Sequence, residues 1–143
     1  MKISYGKNVY GKDEIASVVN QLKKTTQMGK SVNTFEKEIA KKFSKKFGLM
    51  VNSGSSALTL AMNALNFKKG DEIIAPCLNF GTAISSIIQC GAVPILVDVE
   101  IETLQINVEK IYEKITNKTK AILVPNLIGN VPDLKKIREI ANK

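Results

Sequence analysis

The stretch VNSGSSALTLA, residues 51–61, contains the transition that decides the fold. A short apolar run ends in Asn-Ser-Gly-Ser-Ser, and an alanine-rich pattern typical of a helix follows. Two interpretations fit this corner. In one, Ser53 or Ser55 caps the helix with its side-chain oxygen. In the other, the unpaired N–H groups of the first helical turn, with Gly54 and the hydroxyls of Ser55 and Ser56, bind a phosphate. The corner alone leaves both interpretations open.

The composition is that of one soluble globular domain. The chain has 143 residues, long enough to bury a core, and 44% of them are hydrophobic. No apolar run reaches the length of a membrane span. The opening residues MKISYGKNVYGKDEI lack the apolar segment of a secretory signal. We therefore expect no membrane partner.

The net charge of +8 comes almost wholly from lysine. The lysines lie on the polar faces of helix patterns such as KEIAKKFSKKF and DLKKIREIANK, and Arg138 is the only arginine. This distribution indicates solvated helix faces and no nucleic-acid partner. The same charge favours anionic substrates such as nucleotide sugars.

The cysteines and the absence of histidine restrict the chemistry further. Cys77 and Cys90 are far apart in the sequence, and the chain contains no histidine. A histidine base is therefore excluded, and no metal site is expected. Two reduced thiols indicate a cytoplasmic protein.

Hydrophobic periodicity divides the chain into an N-terminal helical segment, 1–46, and a segment of alternating strands and helices, 47–143. In the first segment, helices are predicted at 13–24 and 33–46, the second opening with a capping box formed by Asn33 and Glu36. In the second segment, strands are predicted at 48–52, 72–76, 93–99 and 120–125, and helices at 55–66, 80–90, 107–115 and from Pro132 onward. Short apolar strands that alternate with helices predict an α/β fold with a mostly parallel sheet, covered on both faces.

Ligands of open α/β sheets bind where strands end and loops begin. Four such corners are NSGSS (52–56), PCLNFGT (76–82), DVEIET (98–103) and PNLIGN (125–130). Phe80 is either a core residue or an aromatic surface on which a planar ligand stacks. Asn126 offers amide groups to a ligand or takes part in a turn. Asp98 either orients a ligand or forms a turn.

Taken together, these corners resemble the DegT/StrS family of pyridoxal-phosphate-dependent sugar aminotransferases. The matching stretches include VNTFEKEIAKKF, NSGSSALTLAMNAL, GDEIIAPCLNFGTAISSIIQCGAVPILVDVEIETLQIN and ITNKTKAILVPNLIGNVPDL. They cover nearly all of the chain from about Gly29 on. The resemblance implies the three-layer large domain of fold-type I aminotransferases, present in part, and a homodimer for the full-length enzyme.

The resemblance also implies site residues. Gly54, Ser55 and Ser56 correspond to the turn that holds the cofactor phosphate, and Phe80 to the aromatic residue that stacks on the pyridine ring. Asn126 occupies a position that faces the cofactor. Gly29 lies in the segment that borders the sugar pocket. The implied partners are a keto sugar nucleotide and an amino-acid amino donor.

Two groups essential to the family have no counterpart here. The lysine that forms the Schiff base and the aspartate that pairs with the pyridine nitrogen come after the last helix of this chain. The resemblance therefore implies the N-terminal part of such an enzyme, with no catalytic residue of its own and inactive alone.

The sequence leaves three alternatives open. The runs GNVPDL and NFGTAISSIIQCGAVP resemble a dehydrase branch that removes the 3-hydroxyl of CDP-4-keto-6-deoxyglucose and carries histidine in place of the lysine. The alternatives of another class are a Rossmann-like binding module, disfavoured because GxGxxG is absent, and a gene remnant without a ligand.

Overall fold

The computed structural model describes residues 6–143, which form two compact units. The first unit ends at Met50, and the second runs from Val51 to Lys143. Residues 1–5, which belong to the predicted helical segment 1–46, lie outside the described residues. No helix within residues 6–143 is long and apolar enough to cross a bilayer.

The first unit contains two helices, α1 (Lys12–Lys24) and α2 (Lys30–Lys42). The prediction for α1 is confirmed within one residue. The predicted capping box at the start of α2 is wrong, because α2 begins three residues earlier, with Gly29 as its N-cap. The Asn33 N–H already donates to the Gly29 carbonyl inside the helix, and Glu36 instead accepts a hydrogen bond from the Met50 N–H.

The second unit alternates helices with strands, as the periodicity predicts. In chain order its elements are α3 (Gly54–Ala64), β1 (Glu72–Pro76), α4 (Gly81–Gln89), β2 (Val93–Val97), α5 (Val108–Tyr112), β3 (Thr119–Ile122) and α6 (Leu134–Ala141). The strands form a parallel sheet in the order β2-β1-β3, so β1 is the central strand.

One predicted strand is absent from the described structure. Residues 48–52 form no ladder with any described strand, and the side chain of Leu49 is 74% exposed. A short apolar run becomes a strand only when a neighbouring strand accepts its backbone hydrogen bonds. Within residues 6–143 the sheet therefore has three strands instead of the predicted four.

The core lies on both faces of the sheet because the side chains of β1 alternate between them. Ile74 packs with Ile111 of α5 and Ile137 of α6 on one face. Ile73 packs with Met62 of α3 and Ile87 of α4 on the other face. This arrangement confirms the predicted three-layer α/β fold.

Candidate functional site

The loops that follow the three parallel strands begin at the same edge of the sheet. They are residues 77–80 after β1, 98–107 after β2 and 123–130 after β3. A short turn, residues 65–71, joins the end of α3 to the start of β1. Helix α3 therefore runs in the direction opposite to β1, and its first turn lies toward the edge at which the strands end. Three of the four predicted corners follow paired strands, and the corner at 52–56 opens a helix.

The start of α3 is capped by a serine. The Ser53 Oγ accepts a hydrogen bond from the Ser56 N–H at 3.1 Å, and the first intrahelical bond joins the Ala57 N–H to the Ser53 carbonyl. Ser53 is therefore the N-cap, and Ser55 is not. The capping interpretation is correct for this corner, but it uses only one donor of the first turn.

Three donors of the same turn are left for a ligand. Within residues 6–143, the N–H groups of Gly54 and Ser55 have no hydrogen-bond partner, and neither does the hydroxyl of Ser55. The first turn of α3 carries no acidic residue, so nothing offsets the positive end of the helix dipole. A Cβ built on Gly54 would meet no atom within 4 Å, which leaves the backbone open to a ligand. This geometry suits an anion.

Phe80 and Asn79 lie at the next corner. Phe80 is the N-cap residue of α4 and is 68% exposed, so its ring is not part of the core of the described unit. The Asn79 Oδ1 accepts a hydrogen bond from the Phe80 N–H at 2.7 Å. The Asn79 Nδ2 is buried and has no partner among the described residues. A buried donor without an acceptor is costly, and a bound polar group would remove that cost.

Asp98 connects the ends of β1 and β2. Its Oδ1 accepts from the Val99 N–H at 2.9 Å and from the Cys77 thiol at 3.5 Å, and its Oδ2 lies 3.4 Å from Lys110 Nζ. The Val99 N–H, followed by Cys77 and Lys110, lowers the pKa of Asp98 below its ordinary value. The carboxylate therefore stays ionised at neutral pH. These contacts support the turn interpretation of Asp98.

The last two predicted site residues lie in different units. Asn126 is exposed at the start of a short 3-10 turn, Leu127–Gly129, and its carbonyl accepts from the Gly129 N–H at 3.2 Å. Its side-chain amide has no hydrogen-bond partner within residues 6–143. Gly29 belongs to the first unit, where it is the exposed N-cap of α2.

Asn52 and Asn79 are not among the site residues that the sequence predicts. Asn52 accepts a hydrogen bond from the Ser56 hydroxyl at 2.7 Å, and the buried amide of Asn79 has no partner in the described part of the chain. For Asn79, one signal was present in the sequence. An asparagine immediately before a helix often bonds a backbone N–H near its own position, which fixes the direction of its amide.

The comparisons with known proteins identify the family. The sequence model of the DegT/DnrJ/EryC1/StrS aminotransferase family matches residues 9–143, and the chain belongs to this family. It is 36% identical over 115 residues to GDP-perosamine synthase of Vibrio cholerae, covering 80% of this chain and 31% of that protein. It is 41% identical over 119 residues to GDP-4-keto-6-deoxy-D-mannose 3-dehydratase of Yersinia pseudotuberculosis, covering 79% of this chain and 30% of that protein.

A solved structure shows the same fold. The chain superimposes on the Escherichia coli GDP-4-keto-6-deoxy-D-mannose 3-dehydratase with bound hydrated PLP at a TM-score of 0.87 and 36% identity. The superposition covers 95% of this chain and 37% of that one. The chain thus spans about a third of the length of these relatives. The cofactor of the family is pyridoxal phosphate.

The residues present fit that cofactor. The phosphate of pyridoxal phosphate needs several donors and no nearby acid, which the start of α3 provides at Gly54 and Ser55. The planar ring needs an exposed aromatic surface, which Phe80 provides. The buried Asn79 amide adds a donor without an acceptor in the described chain.

Proposed function

We propose that the protein containing this chain is a pyridoxal-phosphate enzyme that transfers an amino group from glutamate to a keto sugar nucleotide. The observation that carries the proposal is the first turn of α3, where the N–H groups of Gly54 and Ser55 have no partner within residues 6–143. The similarity to GDP-perosamine synthase supports the substrate class. We also propose that the full-length enzyme is a cytoplasmic homodimer.

Each site residue has a distinct role in this proposal. The N–H groups of Gly54 and Ser55, with the hydroxyls of Ser55 and Ser56, hold the phosphate. Phe80 stacks on the ring and limits its tilt, and the Asn126 amide faces the cofactor. When bound, pyridoxal phosphate supplies the electron-accepting ring and carries the amino group. Gly29 borders the sugar.

The lysine and the aspartate of the family are proposed to lie outside the matched stretch. No lysine of this chain has a place in the predicted site, so residues 1–143 alone bind the phosphate end of the cofactor but do not transfer an amino group. Proton transfer at the reacting carbon needs a positioned base, and none of the proposed site residues in this chain can serve as one.

A second candidate function, that of a sugar 3-dehydratase, rests on the sequence identities to known relatives. The chain is 41% identical over 119 residues to the 3-dehydratase of Yersinia pseudotuberculosis and 40% identical over 113 residues to GDP-perosamine synthase of Escherichia coli O157:H7, so the identities support a dehydratase as much as an aminotransferase. In that case the enzyme removes the 3-hydroxyl of the keto sugar, and its substrate is a GDP-linked sugar instead of the CDP-linked sugar that the sequence resemblance implies. Both candidates use the same phosphate site.

The phosphate site is tested by a spectroscopic titration of pyridoxal phosphate into the complete protein that contains this chain. We expect Ser55→Ala and Ser56→Ala each to weaken binding about fivefold, because each removes one hydroxyl donor. Ser85→Ala is the matched control, since Ser85 is exposed on α4 and its hydroxyl donates to the Thr82 carbonyl. Equal affinities for all four proteins would contradict the assigned site.

The reaction is tested by mass spectrometry of the products. The complete protein is incubated with GDP-4-keto-6-deoxymannose and glutamate. A sugar that has gained an amino group supports the aminotransferase, and a sugar that has lost its 3-hydroxyl supports the dehydratase. An unchanged sugar, from a protein that binds pyridoxal phosphate, would overturn both candidates for this substrate class.

A further inference from the structure

Gln105 is a buried polar residue on the loop that follows β2, and it is only 4% exposed. Its Nε2 donates to the Leu127 carbonyl at 3.1 Å. Its own backbone is fixed as well, since its N–H donates to the Thr103 Oγ1 and its carbonyl accepts from the Glu100 N–H. Burial of an amide is favourable only when it is hydrogen-bonded. The Gln105 side chain is therefore held toward the turn that follows β3.

A second bond joins the same two loops in the opposite direction. The Asn130 Nδ2, on the loop after β3, donates to the Thr103 carbonyl on the loop after β2 at 2.8 Å. The loops follow strands that are not neighbours, because β1 lies between β2 and β3. We call the pair Gln105 and Asn130 the loop clamp. It connects the loops on either side of the central strand.

Two residues next to the hydrogen bonds of the clamp have an unfavourable backbone conformation. Leu104 has φ +58° and Ile128 has φ +52°, both in the left-handed region that branched and bulky residues rarely adopt. Such residues persist only where the surrounding structure holds them in place. Leu104 directly precedes Gln105, and Ile128 directly follows Leu127, whose carbonyl accepts the hydrogen bond from Gln105. Without the clamp, both turns are expected to relax.

We propose that Gln105, together with Asn130, is a positioning residue that fixes where the Asn126 side chain lies. Leu127 is bonded to Gln105 and is the next residue after Asn126, whose carbonyl in turn closes the 3-10 turn. Holding the Leu127 carbonyl therefore sets the backbone of Asn126. The inference rests on the proposed function, because it concerns the direction of Asn126 toward the cofactor.

The first test replaces the donor with an acceptor. Gln105→Glu keeps the shape of the side chain but cannot donate to the Leu127 carbonyl when ionised. Hydrogen exchange of the amides in residues 126–130 is compared in wild type, Gln105→Glu and Gln89→Glu without added cofactor. Gln89 is exposed on α4 and uses its side-chain oxygen, which the substitution retains. We expect exchange in residues 126–130 to rise about tenfold only in Gln105→Glu.

The second test asks whether Gln105 acts through Asn126. Pyridoxal phosphate affinity is measured for Gln105→Glu, Asn126→Ala and the double variant. We expect Gln105→Glu to weaken binding about fivefold and the double variant to bind no more weakly than Asn126→Ala. A purely structural role of Gln105 would weaken the double variant further. Asn130→Asp, an exposed and isosteric change at the other half of the clamp, gives the same comparison if Gln105→Glu fails to fold.

The outcomes separate the two proposals. Wild-type protein that does not bind pyridoxal phosphate would overturn the proposed function and the role of the clamp toward the cofactor. Normal wild-type binding with unchanged exchange in residues 126–130, or with additive losses in the double variant, would overturn the clamp inference and leave the proposed function intact.

Discussion

The hydroxyl of Ser56 donates a hydrogen bond to the Asn52 Oδ1 at 2.7 Å, beside the Gly54 and Ser55 N–H groups that have no partner within residues 6–143. The Ser56 N–H is also occupied, since it donates to the Ser53 Oγ. Ser56 is thus the most engaged residue of the candidate phosphate site, and Ser55 is the most available one. The helix cap and the candidate phosphate site therefore lie in the same turn. The cap uses the Ser56 N–H, and the N–H groups of Gly54 and Ser55 are left for a phosphate.

The bond between Ser56 and Asn52 leads to a prediction about affinity. The Ser56 hydroxyl has one proton, which must turn away from Asn52 before it can reach a phosphate. We expect Asn52→Ala to leave pyridoxal phosphate affinity within about twofold of wild type, in contrast to the loss expected for Ser56→Ala. Titrations followed by cofactor absorbance check both. A larger loss in Asn52→Ala than in Ser56→Ala would show that Asn52 itself binds the phosphate.

Ser53 is expected to matter for stability. Ser53→Ala removes the N-cap acceptor of the Ser56 N–H and should lower the free energy of unfolding by about 1 kcal/mol. Urea denaturation followed by far-ultraviolet circular dichroism measures the change. Ser85→Ala on α4 is the control and should not destabilise, because alanine is favoured within helices. Equal midpoints for Ser53→Ala and wild type would contradict the cap.

Substitution of Gly54 is expected to raise the stability of the protein and to weaken cofactor binding. It lies at the first position of α3, its φ is not positive, and a Cβ would meet no atom within 4 Å. Gly54→Ala should therefore raise the free energy of unfolding by about 0.5 kcal/mol, because alanine restricts the unfolded chain. The same methyl group should weaken pyridoxal phosphate binding by crowding the donors. A variant that is both less stable and unchanged in binding would contradict the described turn.

The contacts of Asp98 predict that the stability of the folded protein depends on pH. Its pKa is lowered in the folded protein by the Val99 N–H, by the Cys77 thiol and by Lys110. The folded state therefore binds fewer protons at this group than the unfolded state does. Its stabilising contribution is present above the ordinary aspartate pKa of about 4 and is lost as the pH falls through the lowered value.

The measurement is the urea midpoint between pH 2.5 and pH 6 for wild type and Asp98→Asn. We expect the difference between them to grow as the pH rises. Glu102→Gln, at an exposed acid of the same loop, is the control and should show a smaller pH-dependent difference. A difference that stays constant across this range would show that the Asp98 charge is not stabilised by folding.

The last prediction concerns the hydrophobic core. Ile111 of α5 is completely buried against β1 and α6, whereas Ile101 is 92% exposed. Ile111→Ala should lower the free energy of unfolding by about 2–5 kcal/mol through lost burial and the cavity that remains. Ile101→Ala should change it by less than about 0.5 kcal/mol. Chemical denaturation of both variants is the measurement, and similar losses would contradict the assigned core.

Most of the fold could be predicted because its elements have local causes. The apolar runs at β1, β2 and β3 and the helical spacing from Gly81 to Gln89 each carry a strong periodic signal. The strand at 48–52 could not be judged in this way. Its pattern is apolar, but a strand also requires a partner at hydrogen-bonding distance, and sequence periodicity contains no information about that partner.

The sequence predicts which residues lie at the strand ends of the candidate site, but it does not predict the hydrogen bonds between them. The order of strand, loop and helix placed Phe80 and Asn126 at strand ends, because loops in parallel sheets gather at one edge. The division of donors among Ser53, Ser55 and Ser56 depends on backbone angles that neighbouring serines do not reveal. The buried Asn79 amide depends on the packing around it.

The sequence by itself determined the alternation of strands and helices, the small-residue turn at 52–56 and the family, because these depend on residue types at fixed spacing. Only the tertiary structure decided that Ser53 is the cap, that residues 48–52 form no strand within the described chain, and that Gln105 reaches Leu127. Twenty-two positions separate Gln105 from Leu127. Contacts of that range form only in the folded sheet. The parallel pairing of β2 and β3 with β1 brings the loops after β2 and β3 together at one edge, although they are far apart in the sequence.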